Sequence, residues 1–282
     1  MTTLDRSTAG NHGAGSLGPV SRLRPGDVDL SDPKTFVAGV PHDYFRVLRE
    51  QAPVHWQEEC KLPGLPKGSG YWALTRYEDV AWVSKNSDLF SSEEGSCVLA
   101  DLRSRDLANM REQLINMDTP CHTELRNLMN PPFRPGTVRE TEEHTRKIVR
   151  ETIERLEGRS ECDFVDAVSA PISLRALTHF LGVPDKHTKR FYDWTNKLIG
   201  ASDPEVSSNG RARFVVFKLF VYAALLARKR RRRPTADVFS GLVNGSFKGS
   251  SLRSLTLNMN FFLLLIAGNE TTRNALSGGV QA

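Results

Sequence analysis

Two groups of residues in this 282-residue sequence have the types and spacing to do chemistry. In the first, an apolar run, Phe261-Phe262-Leu263-Leu264-Leu265-Ile266-Ala267, leads directly into Gly268-Asn269-Glu270-Thr271-Thr272. The run is apolar on every side of a helix, which predicts burial all round and a course through the middle of the domain. A glycine inside a helix costs about 1 kcal/mol relative to alanine. A buried carboxyl or hydroxyl costs more unless something pairs with it. A central helix that accepts both penalties is expected to line a site, with the Glu270 carboxyl and the Thr271 hydroxyl among its polar groups. In the second group, His122 and Arg126 are four residues apart and share one helix face.

Other chemistries find less support. The four cysteines, Cys60, Cys97, Cys121 and Cys162, have no CxxC spacing and no paired arrangement, so neither a zinc site nor a disulfide scaffold is expected, and a reducing cytoplasm is the default compartment. His42, His55, His144, His179 and His187 share no spacing. The formal net charge of +5 is concentrated in Arg228-Lys229-Arg230-Arg231-Arg232-Arg233, and the rest of the chain is close to neutral. Six adjacent cations could release counterions from a nucleic-acid backbone. No aromatic residues are interleaved with them, and Pro234 follows, so a solvated helix C-terminus is expected rather than a nucleic-acid partner. No apolar run reaches the roughly 20 residues of a membrane span. With 39% hydrophobic and 25% charged residues, the composition is that of an ordinary globular chain.

The elements that must position these residues are mostly helical. Residues 1–26 read as a disordered tail, with neither the basic start nor the apolar stretch of a signal peptide. Residues 41–52 place Tyr44, Phe45 and Leu48 on one helical face between Pro41 and Pro53. Residues 54–56 and 71–75 read as a strand pair around a Pro/Gly-rich loop, 62–70. A helix at 77–85 and a polar loop follow. Thr119-Pro120 looks like an N-cap with proline at the first helical position, and Pro131-Pro132 ends that helix. Further helices are expected at 137–157, 171–181, 186–199 and 211–232, the last presenting Phe214, Phe217, Val221 and Leu225. Phe214, Phe217 and Phe220 could line a lipid pocket or pack in the core. A short helix at 237–243 precedes the last one, from about 252 onward. Twenty-five residues of that helix span roughly 38 Å.

The segment 267–274 (AGNETTRN) resembles the central-helix motif of the cytochrome P-450 haem-thiolate monooxygenases. The segment 118–126 (DTPCHTELR), followed by Pro132-Phe133-Arg134-Pro135, resembles the haem-facing helix of the same family. Residues 70–77, 193–196 and 203–205 also fit, and together they are similar to the bacterial branch that oxidises sterols and methyl-branched lipids. The resemblance implies a mainly α fold with a small β portion, the N-terminal two-thirds of the cytochrome P-450 fold, with an incomplete domain at 27–282 that ends after the central helix. It implies haem as cofactor, with Ala267 and Gly268 on the cofactor-binding stretch and Gly268 leaving room where oxygen and substrate approach. By the same resemblance Thr271 hydrogen-bonds dioxygen, Glu270 relays protons, and His122 and Arg126 hold the haem propionates.

Two family elements, the Phe-x-x-Gly-x-His/Arg-x-Cys-x-Gly loop with the haem-ligating cysteine and the upstream Glu-x-x-Arg, are not found in the sequence. Cys121 adjoins the haem-facing pair but lies on the wrong element, and Glu124 stands where relatives mostly carry arginine. No metal ligand is therefore assigned. The inherited activity would be hydroxylation of an aliphatic carbon, driven by O2 and electrons from a ferredoxin-type donor because no flavin or nicotinamide motif is visible. The substrate would be a hydrophobic small molecule. The chain alone is expected to be inactive, and a non-enzymatic remnant is the alternative.

Overall fold

Local sequence chemistry accounts for most elements of the computed structural model, which describes residues 23–60, 66–99, 101–199 and 209–282. The first 22 residues of the expected tail, the 203–205 segment and part of the 62–70 loop lie outside the described residues. The fold is mainly α with a small β portion, as the sequence implied. The chain divides into two units, residues 1–107 and 108–282.

In the first unit, α1 (His42–Gln51) buries Tyr44, Val47 and Leu48. The Tyr44 hydroxyl accepts a hydrogen bond from the Gly26 amide at 2.9 Å. Strands β1 (Val54–Gln57) and β2 (Tyr71–Leu74) pair antiparallel, with Val54 opposite Leu74 and Gln57 opposite Tyr71. Trp56 and Trp72 meet edge to face at 5.1 Å, a cross-strand pair of the kind that fixes register. Helix α2 (Tyr77–Lys85) follows as expected. The polar stretch after it contains a short helix that the sequence pattern did not reveal, α3 (Ser104–Met110).

In the second unit, α4 (Cys121–Met129) begins one residue later than expected: Pro120 is the cap position, and no side chain caps the helix. Helices α5 (Pro135–Glu154) and α6 (Ala170–Phe180) pack together. Arg175 pairs with Glu151 across them at 2.6 Å, and that hydrogen bond holds the Glu151 carboxyl below its ordinary range. His144 and His179 stack at 3.7 Å on the same two helices. Gly182 ends α6 with φ +71°, the left-handed conformation suited to glycine just past a helix.

Helices α7 (Thr188–Ile199), α8 (Asn209–Arg232) and α9 (Val238–Asn244) complete the wall around the last helix. A hairpin not foreseen from sequence, β3 (Ser246–Phe247) and β4 (Ser250–Ser251), turns through Lys248 and Gly249. Both turn residues have positive φ, 51° and 72°, as a tight two-residue hairpin loop requires. The chain then enters α10 (Ser254–Gln281).

Two expectations for α8 need correction. Its buried face carries Val215, Leu219, Ala223 and Leu226, whereas Phe214, Phe217, Val221 and Leu225 face outward. The helix is apolar on two sides, so spacing alone could not identify the side facing the core. Arg230 does not end in solvent with its neighbours. It is 9% exposed and pairs with the buried Asp237 carboxylate at 2.9 Å.

Candidate active-site helix

Helix α10 is held from two sides by polar contacts. At its start, the fully buried Asn260 donates from Nδ2 to the Glu112 carbonyl at 2.8 Å and to the Thr256 carbonyl at 2.8 Å. Its Oδ1 accepts from the Leu114 amide at 2.8 Å. The Glu112 carboxylate accepts from the Thr256 hydroxyl and the Arg253 guanidinium. This network pins residues 112–114 to α10. It was missed in the sequence, where its one visible signal is a lone amide beside a run of apolar residues, which must find partners once buried.

Farther along, α6 packs against α10. Ser173 donates to the buried Asn269 Oδ1 at 3.3 Å, and the Ser169 and Ser277 hydroxyls lie 2.8 Å apart. The space left by Gly268 is filled by Leu177: a Cβ on residue 268 would lie 2.7 Å from Leu177 Cδ1. The glycine therefore permits close packing of α6 on α10. On the α8 side, Tyr222 stacks on Phe261 and its hydroxyl contacts His187 Nδ1 at 2.8 Å. Burial pushes the Tyr222 phenol up to about 12, so it stays protonated at neutral pH.

The run 261–267 is not buried all round. Phe261 and Leu265 are buried, the residues between them and Ile266 are partly covered, and Ala267 is exposed. Ala267 and Thr271, one turn apart, lie on this exposed side, and the Thr271 hydroxyl donates to the Ala267 carbonyl at 2.7 Å. Glu270 is half-buried. It forms no ion pair among the described residues, with Arg273 or otherwise, so the helix-surface pair that its position allows is not made.

His122 is half-buried and Arg126 exposed on α4, and neither side chain has an ion pair or hydrogen-bond partner among the described residues. The other side of α4 inserts Leu125 and Met129 into the core that also holds Phe261 and Leu265 of α10. Glu124 accepts the Lys248 amide at 2.5 Å, tying α4 to the hairpin just ahead of α10. The two groups of candidate residues thus stand on helices that share one core and one hairpin.

Among the described residues no three His, Cys, Asp or Glu side chains are grouped to hold a metal ion. The cysteines form no disulfide. Cys121 precedes His122 by one residue and points about 100° away from it around the helix. Two unpaired basic side chains on α4 match the carboxylates of a haem, and the small Ala267 leaves an open flat stretch on α10. The residues fit the carboxylates and one face of the group. None of them is a cysteine that could ligate its iron.

No family model matches the sequence. Curated relatives and solved structures do. The chain is 33% identical over 265 residues to the steroid C26-monooxygenase of Rhodococcus jostii, covering 92% of this chain and 55% of the relative. It is 32% identical to the methyl-branched lipid omega-hydroxylase of Mycobacterium tuberculosis, covering 84% of this chain and 56% of the relative. The structure of a Mycobacterium marinum cytochrome P450 in complex with pseudoionone superposes with a TM-score of 0.75 at 29% identity, covering 91% of this chain and 64% of that one. In sequence and in fold alike, the chain is a relative of the cytochrome P450 monooxygenases and spans somewhat over half the length of those it matches.

Proposed function

We propose that these residues form the oxygen-side and propionate-side parts of a haem monooxygenase that hydroxylates an aliphatic carbon of a sterol or methyl-branched lipid. The observation that supports this most directly is the exposed Ala267/Thr271 turn of α10, set in a segment that resembles the family's central motif and beside a half-buried Glu270 without an ion-pair partner.

Haem, when bound, supplies the oxidising chemistry. Arg126, through a charge-assisted hydrogen bond, and His122 would hold its carboxylates. Thr271 Oγ, which now donates to the Ala267 carbonyl, can release that bond and offer its proton to a ligand on the exposed side. The Glu270 carboxyl would take up and deliver a proton from its half-buried position, the work of a general acid. The substrate class follows the steroid and methyl-branched lipid named for the two relatives. Electrons would come from a ferredoxin-type partner. The haem iron would also need a cysteine thiolate, which none of these side chains supplies.

A haem titration of the purified chain, followed by its Soret band and by the reduced carbon-monoxide spectrum, tests this reading. Saturable binding, weakened in Arg126→Ala and His122→Ala and lacking the red-shifted thiolate band, is the expected result. Binding indifferent to both substitutions would remove the propionate assignment, and a thiolate band would identify a cysteine of this chain as ligand. No saturable haem binding at all would overturn the proposal and leave the second reading, a non-enzymatic protein.

A further inference from the structure

Helix α8 has a second apolar side that no described residue covers. Phe214, Phe217, Val221 and Leu225 lie outward at 56%, 62%, 44% and 63% exposure, on the side opposite the buried Val215, Leu219, Ala223 and Leu226. Exposed cations flank this stripe: Arg213 and Lys218 toward the start of the helix, Arg228, Lys229, Arg231 and Arg232 at its end. The whole helix contains no aspartate or glutamate. The Lys218 ammonium lies 4.3 Å from the Phe214 ring centre, so charge and apolar surface belong to one continuous patch.

We infer that the outer face of α8 is a docking surface for an anionic lipid bilayer, lying in the plane of the interface. A helix that sinks Phe, Val and Leu to the acyl boundary while Lys and Arg meet anionic headgroups has this composition. No helix among the described residues is long and apolar enough to cross a membrane, and lying on the surface needs no such span. A second copy of the chain is a poorer occupant. Two α8 faces brought together would oppose cations with no carboxylate on either helix to offset them. A nucleic acid would use the cations but leave Val221 and Leu225 without a role. The inference is independent of the monooxygenase reading.

Flotation of the full chain with vesicles of equimolar phosphatidylcholine and phosphatidylglycerol, against vesicles of phosphatidylcholine alone, tests it. The chain is expected to float with the anionic vesicles only. Replacing three cations (Lys218→Glu, Arg228→Glu, Lys229→Glu) should weaken partition by about a hundredfold. The pair Phe214→Ser and Phe217→Ser should weaken it by about tenfold or more. Arg230 is left intact because its buried ion pair supports the fold. Val221→Ser with Leu225→Ser provides a second apolar pair, and circular dichroism checks that each variant keeps its helix. Flotation that survives both apolar pairs would overturn the inference. So would sedimentation velocity showing a dimer without lipid that the same substitutions dissolve, or duplex DNA binding as tight as vesicle binding and indifferent to the serine changes.

Discussion

Arg230 and Asp237 form an ion pair at 2.9 Å with both side chains nearly buried, 10% and 7% exposed. Arg230 also donates to the Gly182 carbonyl, and Asp237 accepts the Ser240 amide at 2.7 Å, capping α9. The pair joins the ends of α6, α8 and α9. Arg230→Ala, which strands the carboxylate, is expected to cost about 3–5 kcal/mol. Asp237→Ala should cost at least as much, because it also removes a cap worth about 1 kcal/mol. Urea unfolding of both variants checks this. An Arg231→Ala control, on the exposed part of the same block, should change little.

Asn260→Ala should destabilise the chain by about 2–4 kcal/mol, since it leaves the buried Leu114 amide and Glu112 carbonyl without their partner. Asn260→Asp retains the acceptor for Leu114 and loses both donated bonds, so it should not restore stability. Chemical denaturation and amide exchange at Leu114 would read the two changes separately.

At position 268, alanine gains about 1 kcal/mol of helix propensity and loses some of that to displacement of the flexible Leu177 end. Gly268→Ala should therefore lie within about 1 kcal/mol of the parent, whereas Gly268→Val should cost roughly 1–3 kcal/mol through overpacking. Leu177→Ala should relieve the valine variant in a double-mutant cycle. The absence of any such relief would mean that the glycine serves something other than the packing of α6.

The His179 imidazole is held below its ordinary pKa, first by burial and then by the stacked His144, with Asp185 and Asp237 acting the other way. The unfolded chain takes up its proton near pH 6.5 while the folded chain does not until the pH is lower. Stability is therefore complete above about pH 6.5 and falls as the pH drops below it. Thermal melts between neutral and mildly acidic pH should show this loss, and His179→Gln should flatten it. An unchanged pH profile in that variant would assign the loss to other groups.

The helices were legible wherever proline, glycine and a single apolar face agreed, as in α1 and α6. The tight hairpin 246–251 was not, because two-residue strands carry too little alternation to register. Helix α8 showed the limit of periodicity: with Phe214, Phe217, Val221 and Leu225 on one side and Val215, Leu219 and Ala223 on another, the buried side is decided by tertiary packing alone. Arg230 was hidden for a related reason, since one cation among six looks like its neighbours until Asp237 is brought beside it. The candidate residues of α10 and α4 were visible as motifs. The polar contacts that fix α10, through Asn260 and Ser173, depend on partners far away in the chain.

That distance has a kinetic consequence. The bonds that register α10 with residues 112–114 span 146 and 148 residues, and the Glu124 contact to the hairpin spans 124. Loop-closure entropy must be overcome before contacts of such separation contribute anything. Helices α4 and α10 can form early from local contacts, but their mutual alignment waits for the chain to close on itself. The two halves of the candidate site are therefore expected to come into register among the last events of folding and to separate among the first events of unfolding.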